Sequence, residues 1–269
     1  MYIQGKVMVV TGAGSGIGRE LCLALLAGHA EVAAVDLHAD KLEETARLAK
    51  AGKRISLHTL DVSDRAAVEA LSEAVIAAHG QVDGLINNAG IIQPFVKLEV
   101  LGYPAIEKVM QVNFYGSLYF CKAFLPYLME RPEAHIANIS SMGGFLPVPG
   151  QSIYGAAKAA VKLFTEALYA ELKGSPVGVS IVFPGAVATN ITQNSGVKVP
   201  GIENRTGRKQ NFKPLAAADA ANIIIRGIEQ KRFRILVGRD AKFMDILYRL
   251  HPRKATEFIA KKMAELLDA

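Results

Sequence analysis

The sequence predicts a doubly wound α/β fold, a mostly seven-stranded parallel sheet with helices on both faces. Two observations carry this: short β-branched runs recur along the 269-residue chain, and segments of helix length with apolar residues at three-to-four spacing lie between them. A third is that no internal repeat, low-complexity tract or linker interrupts the alternation, so 1–269 reads as one unit.

Strands are expected at 6–10, 31–35, 54–60, 82–86, 135–139, 177–183 and 235–237. The helical pattern is seen in Ala66, Val68, Leu71 and Val75. Strand–helix–strand crossovers are right-handed by steric default, which puts helices on both faces of a parallel sheet. Residues 190–214 break the rhythm with four Asn, three Gly and two Pro, the composition of a lid or binding loop, and they are expected to form a substrate loop. Residues 240–269 read as a C-terminal extension of two amphipathic helices rich in Lys and Arg.

A chain of this length buries roughly 70–75% of its unfolded surface, enough for a full core without disulfides or metals. The 51% hydrophobic content agrees. Cys22 and Cys121, far apart and inside apolar helical stretches, read as buried thiols of a reducing compartment. With neither a signal-peptide pattern nor a long uncharged apolar run, the expected location is the cytoplasm.

The net charge of +6 is uneven: 231–269 holds ten Lys or Arg against five acids, and 198–214 holds five against one. Solvated basic faces explain this, as would attraction of anionic substrates or a membrane surface. Nucleic-acid binding is not expected, because no recognition module or basic stripe with interleaved aromatics appears. The six histidines form no ligand-spaced pair and two cysteines cannot build a zinc site, so no metal is expected.

Directly after the first strand come Gly12, Ser15, Gly16, Ile17 and Gly18 in a Gly-x-x-x-Gly-x-Gly turn that opens a helix. Glycines there permit a tight turn, close approach to a pyrophosphate and close packing of helix on strand, while free amides and the helix dipole favour the anion. Without a Lys-Ser/Thr ending the turn is not a nucleotide-triphosphate loop. Asp36 ends the second strand, where a carboxylate can accept from both adenosine ribose hydroxyls and would repel a 2′-phosphate. NAD is therefore expected over NADP, although Arg19 and His38 are basic residues close by. Asp36 could instead be an N-cap for the following helix.

The chain resembles the short-chain dehydrogenase/reductase family, with its Rossmann-type fold, over almost its whole length. The resemblance rests on 11–18, Asp61-Val62, the Asn-Asn-Ala-Gly at 87–90, Val112-Asn113, Ser140-Ser141, Tyr154-Gly-Ala-Ala-Lys158 and Pro184-Gly185. It implies that Asp61 and Val62 contact adenine, that Asn88 supports the central strand beside the cofactor, and that Val187 and Thr189 hold the nicotinamide amide. Val187 could equally be plain core.

Tyr154 and Lys158, four apart at the start of a helix, lie on one face. A free tyrosine with a pKa of about 10 is a poor base near neutrality, and a neighbouring ammonium favours the phenolate. The resemblance adds that Lys158 also holds the nicotinamide ribose. Ser141, thirteen residues before Tyr154 and at the C-terminal end of a strand, can hold the substrate oxygen as charge develops. Asn113 matches the position that anchors a proton-relaying water; an ordinary buried amide bending the helix is the rival reading. Ser141 lacks a Gly-x-Ser-x-Gly elbow, which sets hydrolase chemistry aside.

The expected activity is NAD-dependent hydride transfer on a secondary alcohol or ketone. Apolar stretches at 91–95 and 142–149, with the 190–214 loop, are the expected substrate walls and point to a lipophilic molecule. A non-catalytic dinucleotide sensor or scaffold on the same fold is the alternative, disfavoured because every catalytic position is filled. A homo-oligomer, dimer or tetramer, is expected. The C-terminal helices could cover the domain, join subunits or lie on a membrane surface.

Overall fold

The structure, a computed structural model, describes residues 1–197 and 214–264. Seven parallel strands form the main sheet: β1 (Val7–Thr11), β2 (Glu31–Asp36), β3 (Ile55–Thr59), β4 (Gly84–Asn87), β5 (Ala134–Ile139), β6 (Val177–Pro184) and, last in chain order, β9 (Arg234–Val237). They lie in the order β3-β2-β1-β4-β5-β6-β9. The chain runs outward from β1 to β3, then crosses to β4 on the other side of β1. The resulting crevice at the carboxyl ends of β1 and β4 is where open α/β sheets bind ligands.

The helices are α1 (Gly16–Ala27), α2 (Ala39–Ala49), α3 (Arg65–His79), α4 (Tyr103–Met110), α5 (Gly116–Met129), α6 (Ser152–Glu171), α7 (Ile191–Asn194), α8 (Ala217–Glu229), α9 (Arg239–Leu250) and α10 (Pro252–Met263). Successive residues of a strand face opposite sides, so β1 feeds two cores. Met8 and Val10 join Leu21 and Leu25 of α1 and Ile224 and Ile228 of α8; Val9 joins Val68, Leu71 and Val75 of α3 and Phe120 and Phe124 of α5. All five residues of β1 are buried, as a central parallel strand requires. Each buried Leu or Phe contributes roughly 1.5–3 kcal/mol through area removed from water.

Four differences from the sequence reading have physical causes. Ala66 is exposed, because a two-residue step turns it about 200° from Val68 around the helix. Two strands were not expected, β7 (Val187–Ala188) and β8 (Leu215–Ala216), which pair in parallel and set the two ends of the intervening segment side by side. A π turn at Gln111–Tyr115 joins α4 to α5. Finally, α9 faces the body of the protein with Met244, Leu247 and Tyr248, which pack with Leu146 and with Ile259 of α10; Phe243, Ile246 and Leu250 are 59%, 60% and 68% exposed. Residues 198–213 of the expected loop and 265–269 of the expected C-terminal helix lie outside the described residues.

Cys22 and Cys121 are buried and free; burial raises both thiols, Cys121 to about 12, which leaves them protonated and inert.

Candidate active site

A cleft of about 440 Å³ opens along the carboxyl ends of the strands. Gly12, Ser15, Gly16, Ile17, Asp36, Asp61, Val62, Asn88, Ser141, Tyr154, Lys158, Val187 and Thr189 all line it. Gly18 and Asn113 do not. A Cβ on Gly18 would sit 1.9 Å from the carbonyl oxygen of Gly12, so this glycine packs α1 against the turn and has no face toward the cleft.

The glycine turn fits a dinucleotide pyrophosphate. Gly12 and Gly16 have φ of +68° and +52°, values costly for residues with a Cβ. A Cβ on Gly12 would reach Ala89 Cα and Asn88 Nδ2 at 2.9 Å. Ser15 precedes α1 without capping it, leaving first-turn amides available to an anion. Asn88 ties the turn to β4, donating from Nδ2 to Thr11 O at 3.0 Å, while Thr11 Oγ1 accepts from the amides of Asn88 and Ala89.

Asp36 accepts from Gly14 N at 2.9 Å and from His38 N at 3.0 Å. His38, not Asp36, occupies the N-cap position of α2. The Arg19 guanidinium is already engaged by Gly14 O, Thr45 Oγ1 and Glu44. Lys41, which the sequence reading passed over, lines the cleft and donates to Asn194 Oδ1 at 2.8 Å; Asn194 Nδ2 in turn donates to Ser15 Oγ at 2.8 Å. These residues are 153 and 179 positions apart, and no local pattern could have paired them.

Ser141 leads into a short turn at Met142–Gly144 and accepts from Gly143 N at 3.0 Å. Ser140 Oγ donates to Lys158 O at 2.7 Å, which fixes that turn against α6. Burial raises the Tyr154 phenol above its usual value, and a hydrogen bond with Ser141 opposes the rise. Lys158 is 3% exposed and donates from Nζ to Ile139 O at 3.0 Å. Burial lowers its ammonium to about 8. No pull of Lys158 on the phenol, expected from the sequence, figures among the causes of the tyrosine's shift.

Asn113, fully buried within the π turn, spends both ends of its carboxamide on one residue: Oδ1 accepts from Ile91 N at 2.9 Å and Nδ2 donates to Ile91 O at 2.8 Å. A Cβ on the adjacent Gly90 would meet Asn113 Oδ1 at 2.8 Å and Lys158 Nζ at 3.1 Å, so glycine there lets the three groups close together. Asp240 of α9 accepts from Ala186 N at 2.7 Å and braces the turn leading to Val187 and Thr189.

Of the expected substrate walls, Ile91 lines the cleft; Ile91, Ile92 and Pro94 also line an adjoining cavity of about 170 Å³. The 142–149 stretch contributes to neither lining: Leu146 is buried beneath Met244 of α9, with Met142 and Phe145 against it.

Residues 6–199 match the short chain dehydrogenase family. The chain belongs to the short-chain dehydrogenase/reductase family. It is 39% identical to SadH of Mycobacterium tuberculosis over 268 residues, 97% of this chain and 96% of that one. Among solved structures it is similar to a short-chain dehydrogenase/reductase of Burkholderia phymatum in complex with NAD, with a TM-score of 0.82 and 29% identity over 93% of this chain and 96% of that one. It is also similar to a short-chain dehydrogenase of Burkholderia cenocepacia in complex with NADP, with a TM-score of 0.80 and 26% identity over 96% and 99% of the two chains. This short-chain dehydrogenase is thus an oxidoreductase with neighbours that bind either dinucleotide, and among its described residues no helix is long and apolar enough to cross a membrane.

Proposed function

We propose that this oxidoreductase is NAD-dependent, transferring a hydride between nicotinamide and a lipophilic secondary alcohol or ketone, with 1–269 acting as one catalytic unit. The observation that carries the reading is that Ser141, Tyr154 and Lys158 line one cleft with the glycine turn and Asp36. Bound NAD would supply the hydride acceptor. Gly12, Ser15, Gly16 and Ile17 would hold its pyrophosphate, Gly18 supporting them through packing, with Asp36 on the adenosine ribose and Asp61 and Val62 on adenine. Val187 and Thr189 would hold the nicotinamide amide and Lys158 the second ribose, while Asn88 keeps the turn in register.

In alcohol oxidation Ser141 holds the substrate oxygen, and Tyr154 takes the hydroxyl proton as hydride leaves the carbon. Burial leaves the phenol a weak acid, and Ser141 favours its ionised form. Asn113 contributes by holding Ile91 in place beside Gly90 and Lys158.

NAD is favoured because the Asp36 carboxylate faces the cleft while Arg19 is occupied elsewhere. Lys41 is the residue that could serve NADP, once released from Asn194. The apolar walls Ile91, Ile92, Pro94 and Val109 support a lipophilic substrate. Exposed Tyr103, Leu163 and Tyr169 on α4 and α6 support a homo-oligomer, dimer or tetramer, and the free, buried thiols of Cys22 and Cys121 suit the reducing cytoplasm. Screening secondary alcohols with NAD, following absorbance of the reduced cofactor, tests the activity. A dinucleotide sensor would bind NADH and turn over none of them.

A further inference from the structure

The first turn of α6 carries Tyr154, yet Gln151 ahead of it makes no side-chain cap. The amides of that turn are met from a distant segment. Gln93, wholly buried, accepts at Oε1 from Ile153 N at 2.8 Å and from Tyr154 N at 3.0 Å, and donates from Nε2 to Gly150 O at 3.0 Å. Its own carbonyl oxygen accepts from Gln151 Nε2 at 2.8 Å. One of these four bonds ends on the backbone nitrogen of Tyr154 itself. The segment bearing Gln93 is anchored in turn, with Ile91 held by Asn113 and Ile92 N donating to Ser195 Oγ at 3.0 Å.

We propose that Gln93 is a positioning residue for proton transfer: its carboxamide fixes where the helix bearing Tyr154 begins, and hence where the phenol stands against Ser141 and the substrate oxygen. The inference rests on Tyr154 being the proton-transfer group. Glutamine suits the task because one planar amide offers two lone pairs to converging N–H donors and a donor to a third backbone atom. Misplacement of a reacting group by about 1 Å can cost on the order of a hundredfold in rate, so a cap at this point controls turnover more than cofactor binding.

Two variants test it, assayed with a secondary alcohol at neutral pH. Gln93→Met fills the space and removes every side-chain bond; kcat should fall about tenfold to a hundredfold. The NADH dissociation constant, read by fluorescence, should stay within about threefold, since the glycine turn and Asp36 are untouched. Gln93→Glu keeps both acceptor bonds, and its buried carboxyl, facing Gly150 O, holds its proton and makes the donor bond as well. Its kcat at neutral pH should therefore stay within about threefold of wild type. A Gln93→Glu protein that loses as much kcat as Gln93→Met overturns the proposal, as does a Gln93→Met protein with kcat within twofold of wild type. If Gln93→Met does not fold, Gln93→Glu decides alone. Tyr154→Phe is measured in parallel; retained turnover there would remove the underlying role of Tyr154 whatever the Gln93 variants do.

Discussion

Lys158 reaches the carbonyl oxygen of Ile139 with its ammonium at 3.0 Å, and burial lowers that ammonium to about 8. The unfolded chain holds the same proton up to about 10.4. Between those values the unfolded state binds more protons, so stability of the cofactor-free protein should rise as pH climbs from about 8 toward 10.4. Below pH 8 the buried ammonium costs roughly 3 kcal/mol. Lys158→Met should abolish turnover yet raise the urea midpoint at pH 7, the gain vanishing near pH 10.5. A variant less stable than wild type at pH 7 would contradict this account.

Tyr154→Phe removes only the hydroxyl. We expect kcat to drop roughly 10²–10⁴-fold with NADH affinity nearly unchanged. Steady-state assays and a fluorescence titration check it; a residual rate above a tenth of wild type would refute the role.

Asp36→Ala should weaken NAD about tenfold to a hundredfold while affecting NADP little, since hydrogen bonds to a charged group contribute roughly 1.5–3 kcal/mol. Adding Leu37→Arg should shift preference toward NADP. Parallel titrations with both cofactors decide, and equal losses would leave Asp36 as a brace for Gly14 alone.

Gly18→Ala has no room: its Cβ would strike Gly12 O at 1.9 Å. We expect a loss of roughly 1–3 kcal/mol in unfolding free energy, together with weakened cofactor binding because Gly12 must shift. Unaltered melting and affinity would mean the turn yields more readily than its contacts indicate.

Much of this was legible in the sequence because it is local. Seven β-branched runs and a glycine turn announce themselves within ten residues, and Tyr154 and Lys158 share a helix face through spacing alone. The rest depends on partners far along the chain. Two-residue strands such as Val187–Ala188 show no periodicity, and the π turn around Asn113 has no composition of its own. The Gln93 cap spans about sixty residues, and in sequence its carboxamide is merely one polar group in an apolar stretch. The exposed side of α9 is hidden for a related reason: helical spacing alone puts Leu247 with Phe243, Ile246 and Leu250, and only packing on Leu146 separates them.

That outward stripe, flanked by Lys242 and Arg249, is free to meet a second subunit or an anionic lipid surface. A protein lying on lipid would sediment with phosphatidylserine vesicles at low salt and be released at high salt, because the basic residues supply a screened attraction. Replacing Phe243 and Ile246 by Ser would then abolish retention. Failure to bind at low salt would leave the stripe to a second subunit, read as a change in solution mass.

The three consecutive residues Ile91, Ile92 and Gln93 are pinned by three separate parts of the chain, each through backbone or buried amide atoms. The side chains of Ile91 and Ile92 carry none of that load. On the proposed function, substrate scope could therefore be engineered, or could evolve, by exchanging those two side chains while the backbone ahead of Tyr154 keeps its geometry. Recognition and reaction would then be separable traits written into neighbouring atoms of the same segment.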